Sequence, residues 1–322
     1  MSDVTVIGAG VAGLWAAWEC HKAGLHPRVI DRNGAPGPHG CSWWAGGMLA
    51  PWCEGAVAEP AIVQHGQDAA EAWAEVTEVT RRGSLVVTLE RDRGELARFA
   101  RRTTGHVLIE NDLARIEPDL PNQRRALFFA SESHLDPRAA LAGLVAALSA
   151  RGIEIKQGAA TPDAIEGPVI DARGLSARLP GLRGVRGEMV VLRAPEITLS
   201  RPVRLLHPRH PLYIVPRVNG VFMLGATQLE STDRRGVTAR SMLELLSAAY
   251  ALDPRFAEAE VLETGADLRP AFADNVPRVL VRGRVLHLNG LFRHGYLMAP
   301  ALARQAVAYL TAGQKGDLIH AD

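Results

Sequence analysis

The sequence predicts an α/β fold in which a parallel, helix-covered sheet is interleaved with an antiparallel β-sheet. Three observations favour this fold. Residues 3–31 have the pattern of a buried strand, a glycine-rich turn, an apolar helix and a second strand. A short apolar strand and a helix follow near the end of the chain, at 285–288 and 300–310. Between them, the region 185–226 alternates β-rich runs with Pro/Gly turns, which is typical of antiparallel strands.

The turn after the first strand carries a specific glycine pattern. Gly8, Gly10 and Gly13 have the G-x-G-x-x-G spacing, which gives a tight turn, a close approach of backbone to a pyrophosphate, and close helix–strand packing. The helix begins near Val11, so its free amide groups would point at the phosphates. Asp31 ends the second strand eighteen residues after Gly13, where an acid accepts ribose hydroxyls. The sequence therefore predicts a dinucleotide site.

The remaining elements are predicted from local patterns. The Gly-, Pro- and Trp-rich segment 32–52 is expected to be an irregular loop over the ligand. Asp136 and Pro137 suit the N-cap and first position of a helix that runs to residue 150, and Pro300 is expected at the first position of the last helix. Further helices are expected at 60–82, 94–102 and 241–250. Strands are expected at 84–90, 126–130, 153–156, 168–174, 185–193, 203–206, 212–216, 221–226 and 285–288.

Composition and charge exclude several classes of protein. The 322 residues are 47% apolar and 22% charged, with a net charge of +1, so nucleic acid and anionic membranes are not expected as partners. The N-terminus lacks a basic region ahead of its apolar stretch, and no other run has the length of a membrane span, so a cytoplasmic protein is expected. Three cysteines without C-x-x-C spacing predict neither a disulfide framework nor a metal site.

Glycine-rich segments also occur far from the first motif. Glycine allows bare backbone amides to approach a flat ligand. A nicotinamide enzyme needs little beyond the first βαβ unit and a catalytic centre, so it would not require further glycine-rich segments. The segments are 42–51 (SWWAGGMLAP), 171–174 (DARG) and 292–300 (FRHGYLMAP). The last one leads into a helix whose positive end would stabilise an anionic reduced flavin. These segments favour a flavin dinucleotide; the alternative is that the glycines only form turns.

Six short motifs follow one another along the chain: 6–13 (VIGAGVAG), 45–51 (AGGMLAP), 213–217 (YIVPR), 224–227 (LGAT), 268–270 (LRP) and 292–300 (FRHGYLMAP). In this order they resemble the D-amino acid oxidase superfamily. The closest likeness is to its glycine oxidase (thiamine-pathway) branch, including oxidases of N-substituted glycines such as sarcosine or iminodiacetate. The resemblance implies non-covalent FAD, a small amine substrate that bears a carboxylate, and molecular oxygen as electron acceptor.

The resemblance also implies roles for single residues. Arg269 is similar to the arginine that clamps the substrate carboxylate, Tyr213 to its hydroxyl partner, Arg293 to a second arginine beside the flavin, and Met48 to a pocket wall. Physical chemistry supports these roles, since a bidentate guanidinium both neutralises and orients a carboxylate. The structural alternatives are a surface ion pair for Arg269, which would lie in a loop before Pro270, backbone contacts for Arg293, and core packing for Tyr213.

The expected cofactor-binding residues come from the same motifs. They are Gly8, Gly10, Val11, Ala12, Gly13, Asp31, Arg32, Ser42, Ala45, Gly46, Gly47, Met48, Gly174, Arg293, His294, Gly295, Tyr296, Leu297 and Met298. We expect a Rossmann-like FAD-binding domain of the glutathione reductase type, made of 1–80, 134–181 and 265–322. An antiparallel substrate-binding domain, made of 82–133 and 182–264, is expected to be inserted into it.

The substrate and the electron acceptor are less well defined. His207, Arg209 and His210 lie in a cationic segment that could bind a second carboxylate, as in iminodiacetate; the alternative is a solvated loop. Pro211 and Arg173 depart from the glycine oxidase pattern, which puts strict glycine specificity in question. The expected reaction is hydride transfer from Cα to the flavin, hydrolysis of the imine to glyoxylate, and reduction of oxygen to hydrogen peroxide. The alternatives are a D-amino acid oxidase, a dehydrogenase that passes electrons to a quinone or partner protein, and a flavin-binding scaffold without activity; a homo-oligomer is left open.

Overall fold

The structure, a computed structural model, describes residues 3–120, 123–207 and 211–321. Within these ranges one sheet has seven strands, numbered in chain order over the whole molecule: β1 (Asp3–Ile7), β2 (His26–Asp31), β8 (Ile155–Gln157), β9 (Val169–Asp171), β16 (Arg278–Arg282), β17 (Val285–Asn289) and β18 (Ile319–Ala321). Their order across the sheet is β18-β16-β17-β9-β1-β2-β8. All neighbours are parallel except β16 and β17.

Helices pack together beside this sheet and bury its apolar residues. The helices that share its core are α1 (Val11–Lys22), α7 (Pro137–Ser149) and α9 (Gly295–Ala312). Residues 11–20 of α1 are all buried, which agrees with the absence of a polar face in its sequence. The carboxylate of Asp136 accepts the backbone N–H groups of Arg138 and Ala139, so it caps α7 as predicted.

A second sheet of nine strands lies beside the first, counted over the described part of the chain: β4 (Ser84–Thr88), β5 (Val107–Glu110), β6 (Arg125–Phe129), β10 (Arg183–Arg193), β11 (Val203–Leu206), β12 (Leu212–Pro216), β13 (Val221–Gly225), β14 (Leu229–Glu230) and β15 (Glu260–Ala271). Its pairs are antiparallel except β4 with β11. Helix α8 (Ala239–Leu252) shares its core. The predicted combination of a parallel and an antiparallel sheet is confirmed.

The remaining elements are short. Strands β3 (Met48–Leu49) and β7 (Ser133–His134) form a small antiparallel pair. The other helices are α2 (Pro51–Glu54), α3 (Pro60–Gly66), α4 (Ala69–Ala74), α5 (Arg93–Ala100) and α6 (Leu113–Ile116). The prediction of one helix over 60–82 was wrong. Helix α3 ends at Gly66, and a separate helix, α4, begins at Ala69. At Gly66 the chain packs closely on α9, because a β-carbon there would lie 2.7 Å from the Leu297 side chain.

The last helix begins earlier than predicted. Helix α9 starts at Gly295, so Pro300 lies inside the helix and not at its first position. Proline lacks the N–H that would donate to the carbonyl oxygen of Tyr296 four residues before it. The indole Nε1 of Trp73 donates to that oxygen instead, at 2.7 Å, and the two rings are stacked with centroids 5.2 Å apart. A tertiary hydrogen bond therefore replaces the missing helical one.

Strand β15 is a further difference from the sequence-based expectation. Arg269 was expected in a loop, but it lies in β15, opposite Val185 of β10. The strand carries Gly265 and Pro270, which disfavour β-structure locally, and it forms because it pairs with β10 along its whole length. It also continues to Ala271, past residue 265, where the sequence predicts a domain boundary. In the described ranges, no helix combines the length and the apolar character that crossing a bilayer requires.

Candidate active site

A single large cavity collects most of the residues singled out from the sequence. It has a volume of about 540 Å³ and is lined by segments from both large sheets. Its lining includes Asp31 and Arg32, the glycine turn after β1, and Tyr213 and Arg269. The turn follows β1 at the point where strand order reverses, with β2 on one side and β9 on the other. Ligands of open α/β sheets bind at such switch points.

The glycine turn is built by close backbone contacts. Gly8 has φ +107°, and a β-carbon on it would lie 2.6 Å from the carbonyl oxygen of Ala172. A β-carbon on Gly13 would lie 1.8 Å from the carbonyl oxygen of Gly8, so α1 packs directly on the turn. The hydroxyl of Ser42 accepts the N–H of Val11 at 3.1 Å. The positive end of α1 therefore faces the cavity, as phosphate binding requires.

Asp31 is held at the far end of the cavity by backbone donors. Its carboxylate accepts the N–H of Ala9 at 2.8 Å and the N–H of Asn33 at 2.8 Å. Each oxygen has lone pairs left for another donor, such as a ribose hydroxyl. Arg32 lies next to it, exposed at the edge of the cavity.

A buried charge cluster lies behind the glycine turn. The carboxylate of Asp171 is fully buried and accepts hydrogen bonds from Arg173 at 2.8 Å and 2.9 Å, while His287 Nδ1 lies 2.9 Å from it. Burial would raise the pKa of Asp171, but the hydrogen bonds from Arg173 and His287 outweigh burial and lower the pKa to about 2. Arg173, which departs from the family pattern, thus fixes the end of β9 as well as lining the cavity.

The short 3-10 helix Cys41–Trp44 and the loop after it are held over the cavity by two side chains. Arg217 donates to the carbonyl oxygen of Gly46 at 2.7 Å and to that of Leu135 at 3.0 Å. The hydroxyl of Tyr296 lies 2.9 Å from the carbonyl oxygen of Ser42. Gly47 has φ +77°, and a β-carbon on it would lie 2.2 Å from the Leu135 carbonyl oxygen. These contacts leave bare backbone at the cavity wall, where a flat ring can approach closely.

Arg269 is a half-buried cation without a carboxylate partner among the described residues. Its Nη2 donates to the carbonyl oxygen of Thr227 at 3.2 Å. Burial, together with the nearby charge of Arg293, lowers the pKa of Arg269 to about 10. A lowered pKa in a guanidinium means that its charge is poorly compensated. An anion that entered the cavity would compensate it.

Arg293 lies in the same cavity but is already paired. Its Nη2 donates to Oε2 of Glu54 at 2.5 Å, while its Nε is buried without a hydrogen-bond partner in the described structure. His294 Nδ1 lies 3.7 Å from the same Glu54 oxygen. Burial would raise the pKa of Glu54, but the charge of Arg293 outweighs burial and the pKa is lowered, so Glu54 is anionic. Sequence reasoning missed Glu54, since nothing in its local pattern distinguishes it.

Tyr213 lies against a second residue that sequence reasoning did not single out. The guanidinium of Arg204 is 4.9 Å from the ring centroid of Tyr213 and 5.0 Å from that of Phe99. Its Nη1 is 3.4 Å from the carbonyl oxygen of Cys53 and 4.0 Å from Oε1 of Glu54. Burial raises the pKa of Tyr213 to about 12, so its hydroxyl stays protonated at neutral pH. The sequence signal for Arg204 was its place at the start of the cationic segment.

Of the three predicted second-carboxylate residues, the structure describes His207. His207 does not line the cavity; its Nε2 lies 3.4 Å from Nη2 of Arg91. Arg209 and His210 lie outside the described residues.

Most of the predicted cofactor residues do line the cavity. Two exceptions are Gly13, which packs on the turn, and Met298, which is fully buried in the core beside the parallel sheet. The ones that line it are Gly8, Gly10, Val11, Ala12, Asp31, Arg32, Ser42, Ala45, Gly46, Gly47, Met48, Gly174, Arg293, His294, Gly295, Tyr296 and Leu297.

The residues of the cavity fit a flavin dinucleotide. Its lining combines an acid, a helix N-terminus and glycine-rich backbone, which are the groups that the ribose, the pyrophosphate and the flat ring of FAD require. The unpartnered Nε of Arg293 is a donor available at the ring end. Residues 8–12, 31, 42–48 and 293–297 would hold the group.

Comparison with known proteins agrees with this geometry. The family model described as FAD dependent oxidoreductase, DAO, matches residues 3–310. The putative thiamine biosynthesis oxidoreductase ThiO of Rhizobium etli is 52% identical over 318 residues, covering 97% of each chain. The crystal structure of glycine oxidase from Geobacillus kaustophilus superposes with a TM-score of 0.81 at 21% identity, covering 99% of this chain and 97% of that one. The crystal structure of iminodiacetate oxidase from Chelativorans sp. gives a TM-score of 0.79 at 21% identity, covering 98% and 96%.

The family match spans nearly the whole chain, and the Rhizobium relative is similar over the same length. The solved structures add that the fold is shared. The resemblance expected from the six motifs is therefore confirmed. The chain belongs to the DAO family of FAD-dependent oxidoreductases, in its glycine oxidase-like branch, and FAD is its cofactor.

Proposed function

We propose that the protein oxidises glycine or a small N-substituted glycine, such as sarcosine or iminodiacetate. The products are glyoxylate, the released amine or ammonia, and hydrogen peroxide formed from molecular oxygen. When bound, FAD would supply the two-electron redox chemistry that couples oxidation of the substrate at Cα to reduction of oxygen. The protein's own residues bind and orient the substrate.

The observation that carries the proposal is the uncompensated charge of Arg269. It is a half-buried guanidinium at the cavity wall, and it donates a hydrogen bond to a backbone carbonyl oxygen, that of Thr227. The carboxylate of a glycine-type substrate is its most reliable handle, and a guanidinium fork binds it in a fixed orientation. Holding the carboxylate at Arg269 fixes the position of Cα, and positioning is the main requirement of hydride transfer.

Tyr213 and His294 add neutral polar groups to the same end. The raised pKa of Tyr213 keeps its hydroxyl protonated, so it can donate to the substrate carboxylate. Burial lowers the pKa of His294 to about 4, so its ring is neutral at neutral pH and adds no charge. The substrate amine reacts in its neutral form, so an ammonium substrate first loses a proton to water. Because Cα loses its hydrogen as a hydride, no side-chain base is needed to remove it.

An apolar wall supports a small substrate. Met48 and Tyr213 pack against the buried group formed by Met189, Val191, Val215 and Met223. Several of these side chains also line the cavity. A short aliphatic chain can contact this wall, and a second polar group there would lose its hydration without a partner.

The proposal is tested with the FAD-loaded protein in air, with glycine, sarcosine, iminodiacetate and D-alanine as substrates. Peroxide and glyoxylate are measured for each. We expect turnover with at least one of the three glycines in preference to D-alanine, and loss of saturation in Arg269→Ala while the flavin stays bound. A clear preference for D-alanine would contradict the proposal.

The acceptor is tested separately by stopped-flow reoxidation. Protein reduced by substrate is mixed with oxygen, and the return of the flavin absorbance is followed. Reoxidation that keeps pace with turnover supports an oxidase. Reoxidation much slower than turnover with an artificial quinone would instead favour a dehydrogenase.

A further inference from the structure

The ion pair between Arg293 and Glu54 changes the charge available to a substrate. The family resemblance implies two arginines near the reaction centre, Arg269 at the substrate carboxylate and Arg293 beside the flavin. The structure places the Glu54 carboxylate 2.5 Å from Nη2 of Arg293. Arg269, in strand β15 of the nine-stranded sheet, has no carboxylate partner among the described residues. One of the two guanidinium groups is therefore already neutralised by the protein.

Glu54 is held firmly in this position. It is the last residue of α2, and the residue before it is fixed on both sides. The N–H of Cys53 donates to Oε1 of Glu132 at 2.7 Å, and Nη1 of Arg204 lies 3.4 Å from the carbonyl oxygen of Cys53. The Glu54 side chain is only 13% exposed. The Arg293 side chain is 22% exposed, so separating the pair would leave two partly buried charges unpaired, which costs free energy.

The other groups around Glu54 do not replace it. Arg204 lies 4.0 Å from its Oε1, behind the Tyr213 ring, and does not line the cavity. His294 is neutral at neutral pH, because burial lowers its pKa to about 4. Glu132, the next acid, lies on the far side of Cys53. Around Tyr213 and Arg269, the charged groups are Arg204, Arg293 and Glu54. Glu54 lies within 4.0 Å of both Arg204 and Arg293, so in this part of the cavity Arg269 is the cation without a carboxylate partner among the described residues. The cavity wall also carries Asp31, Asp267, Arg32, Arg173 and Arg234.

We propose that Glu54 is a specificity residue that selects substrates with one carboxylate. By occupying Arg293, it leaves a single guanidinium for a single substrate carboxylate, and its negative charge repels a second one. Glycine and sarcosine then fit, whereas iminodiacetate brings a second carboxylate toward an anion. This inference rests on the proposed function, whose substrate class it narrows.

The test uses two unreactive ligands that differ by one carboxylate. Methoxyacetate has the shape of sarcosine and diglycolate has the shape of iminodiacetate, with oxygen in place of nitrogen. Each is titrated into the FAD-loaded protein, and binding is followed by the change in flavin absorbance. We expect wild-type protein to bind methoxyacetate at least about tenfold more tightly than diglycolate, since close charge pairs in interfaces couple by about 1.5 kcal/mol or more.

The variant Glu54→Gln keeps the shape and removes the charge. We expect it to lower the Kd for diglycolate by about tenfold or more relative to the Kd for methoxyacetate, because Arg293 becomes free. Glu260→Gln is the control: Glu260 pairs with Arg193 on the surface, away from the cavity, and its loss should leave both constants unchanged. We also expect Glu54→Gln to raise kcat/KM for iminodiacetate relative to kcat/KM for sarcosine.

The outcomes separate the two proposals. If neither ligand perturbs the flavin spectrum of wild-type protein, the carboxylate site of the proposed function is wrong. If both bind with equal affinity, or if diglycolate binds more tightly, the site stands and Glu54 is not the specificity residue. These wild-type measurements test both proposals even if the Glu54→Gln protein does not retain flavin. An unchanged ratio in a flavin-loaded Glu54→Gln protein also overturns the proposal.

Discussion

A β-carbon on Gly187 would lie 1.8 Å from Nη2 of Arg269, so the guanidinium occupies the space that any other side chain at position 187 would need. Gly187 lies in β10 opposite Asp267, two residues before Arg269 on β15. The absence of a side chain there lets the arginine fold across the strand toward the cavity. The position of the proposed carboxylate clamp thus depends on a glycine in a different strand.

Gly187→Ala is expected to displace the Arg269 guanidinium and weaken carboxylate binding by about 10- to 100-fold, since a shift of about 1 Å at a positioning group has effects of this size. The measurement is the Kd of methoxyacetate from flavin absorbance. Gly94→Ala is the control, because a β-carbon on Gly94 meets no atom within 4 Å. An unaltered Kd in Gly187→Ala would mean that the arginine tip adapts freely.

Arg269→Lys tests whether carboxylate binding needs the two parallel N–H groups of a guanidinium or only a positive charge. Lysine keeps a positive charge but loses the second parallel hydrogen bond of a guanidinium. A charge-assisted hydrogen bond contributes about 1.5–3 kcal/mol, so the Kd of a monocarboxylate should rise by roughly 10- to 100-fold. The flavin should stay bound, which the absorbance spectrum reports. A lysine variant that binds like wild type would show that a point charge is enough.

The site was only partly predictable from the sequence. Gly8, Asp31 and Tyr213 belong to motifs with fixed local spacing, and all of them line the cavity. Glu54 was missed because its partner, Arg293, is 239 positions away along the chain. A carboxylate that pairs across such a separation leaves no local pattern. Arg204 was visible only as the first residue of the cationic segment 204–213, and like His207 it does not line the cavity.

The fold shows the same division between local and distant causes. The first strand–helix–strand unit was predicted because its hydrophobic periodicity and glycine spacing are local. Strand β15 was missed because its own residues, including Gly265 and Pro270, disfavour a strand, and pairing with β10 decides its structure. The start of α9 was missed for a related reason, since a proline usually marks a first position and here a distant tryptophan compensates for it.

That compensation can be tested with a double-mutant cycle on Trp73 and Pro300. Trp73→Phe leaves the Tyr296 carbonyl oxygen buried without a donor, which should cost about 1–3 kcal/mol of unfolding free energy. Adding Pro300→Ala supplies a backbone N–H four residues after Tyr296, so the double variant should regain part of the loss. Unfolding in urea of the FAD-loaded proteins gives the four values. Strict additivity of the two substitutions would contradict the compensation.

Glu132 should make stability depend on pH in an unusual direction. Its carboxylate is 1% exposed and accepts hydrogen bonds from Ser84 and from the N–H of Cys53. Burial raises its pKa from 4.5 to about 7. Between these pH values the folded protein holds a proton that the unfolded chain has released, so unfolding free energy falls as pH rises from about 4.5 to about 7. Below this window both states are protonated and Glu132 adds no pH dependence.

Glu132→Gln removes the titrating group; its amide oxygen can accept from the N–H of Cys53, and its NH2 group can donate to the Ser84 hydroxyl. Each pKa unit corresponds to about 1.4 kcal/mol, so the variant should gain on the order of 3 kcal/mol relative to wild type between pH 4.5 and pH 7. The difference in unfolding free energy between variant and wild type, measured at pH 5 and pH 8, reports this gain. Glu260→Gln serves as the control, since Glu260 is exposed on the surface and its variant should follow the wild-type curve. Parallel pH curves for Glu132→Gln and wild type would mean that Glu132 titrates alike in the folded and unfolded states.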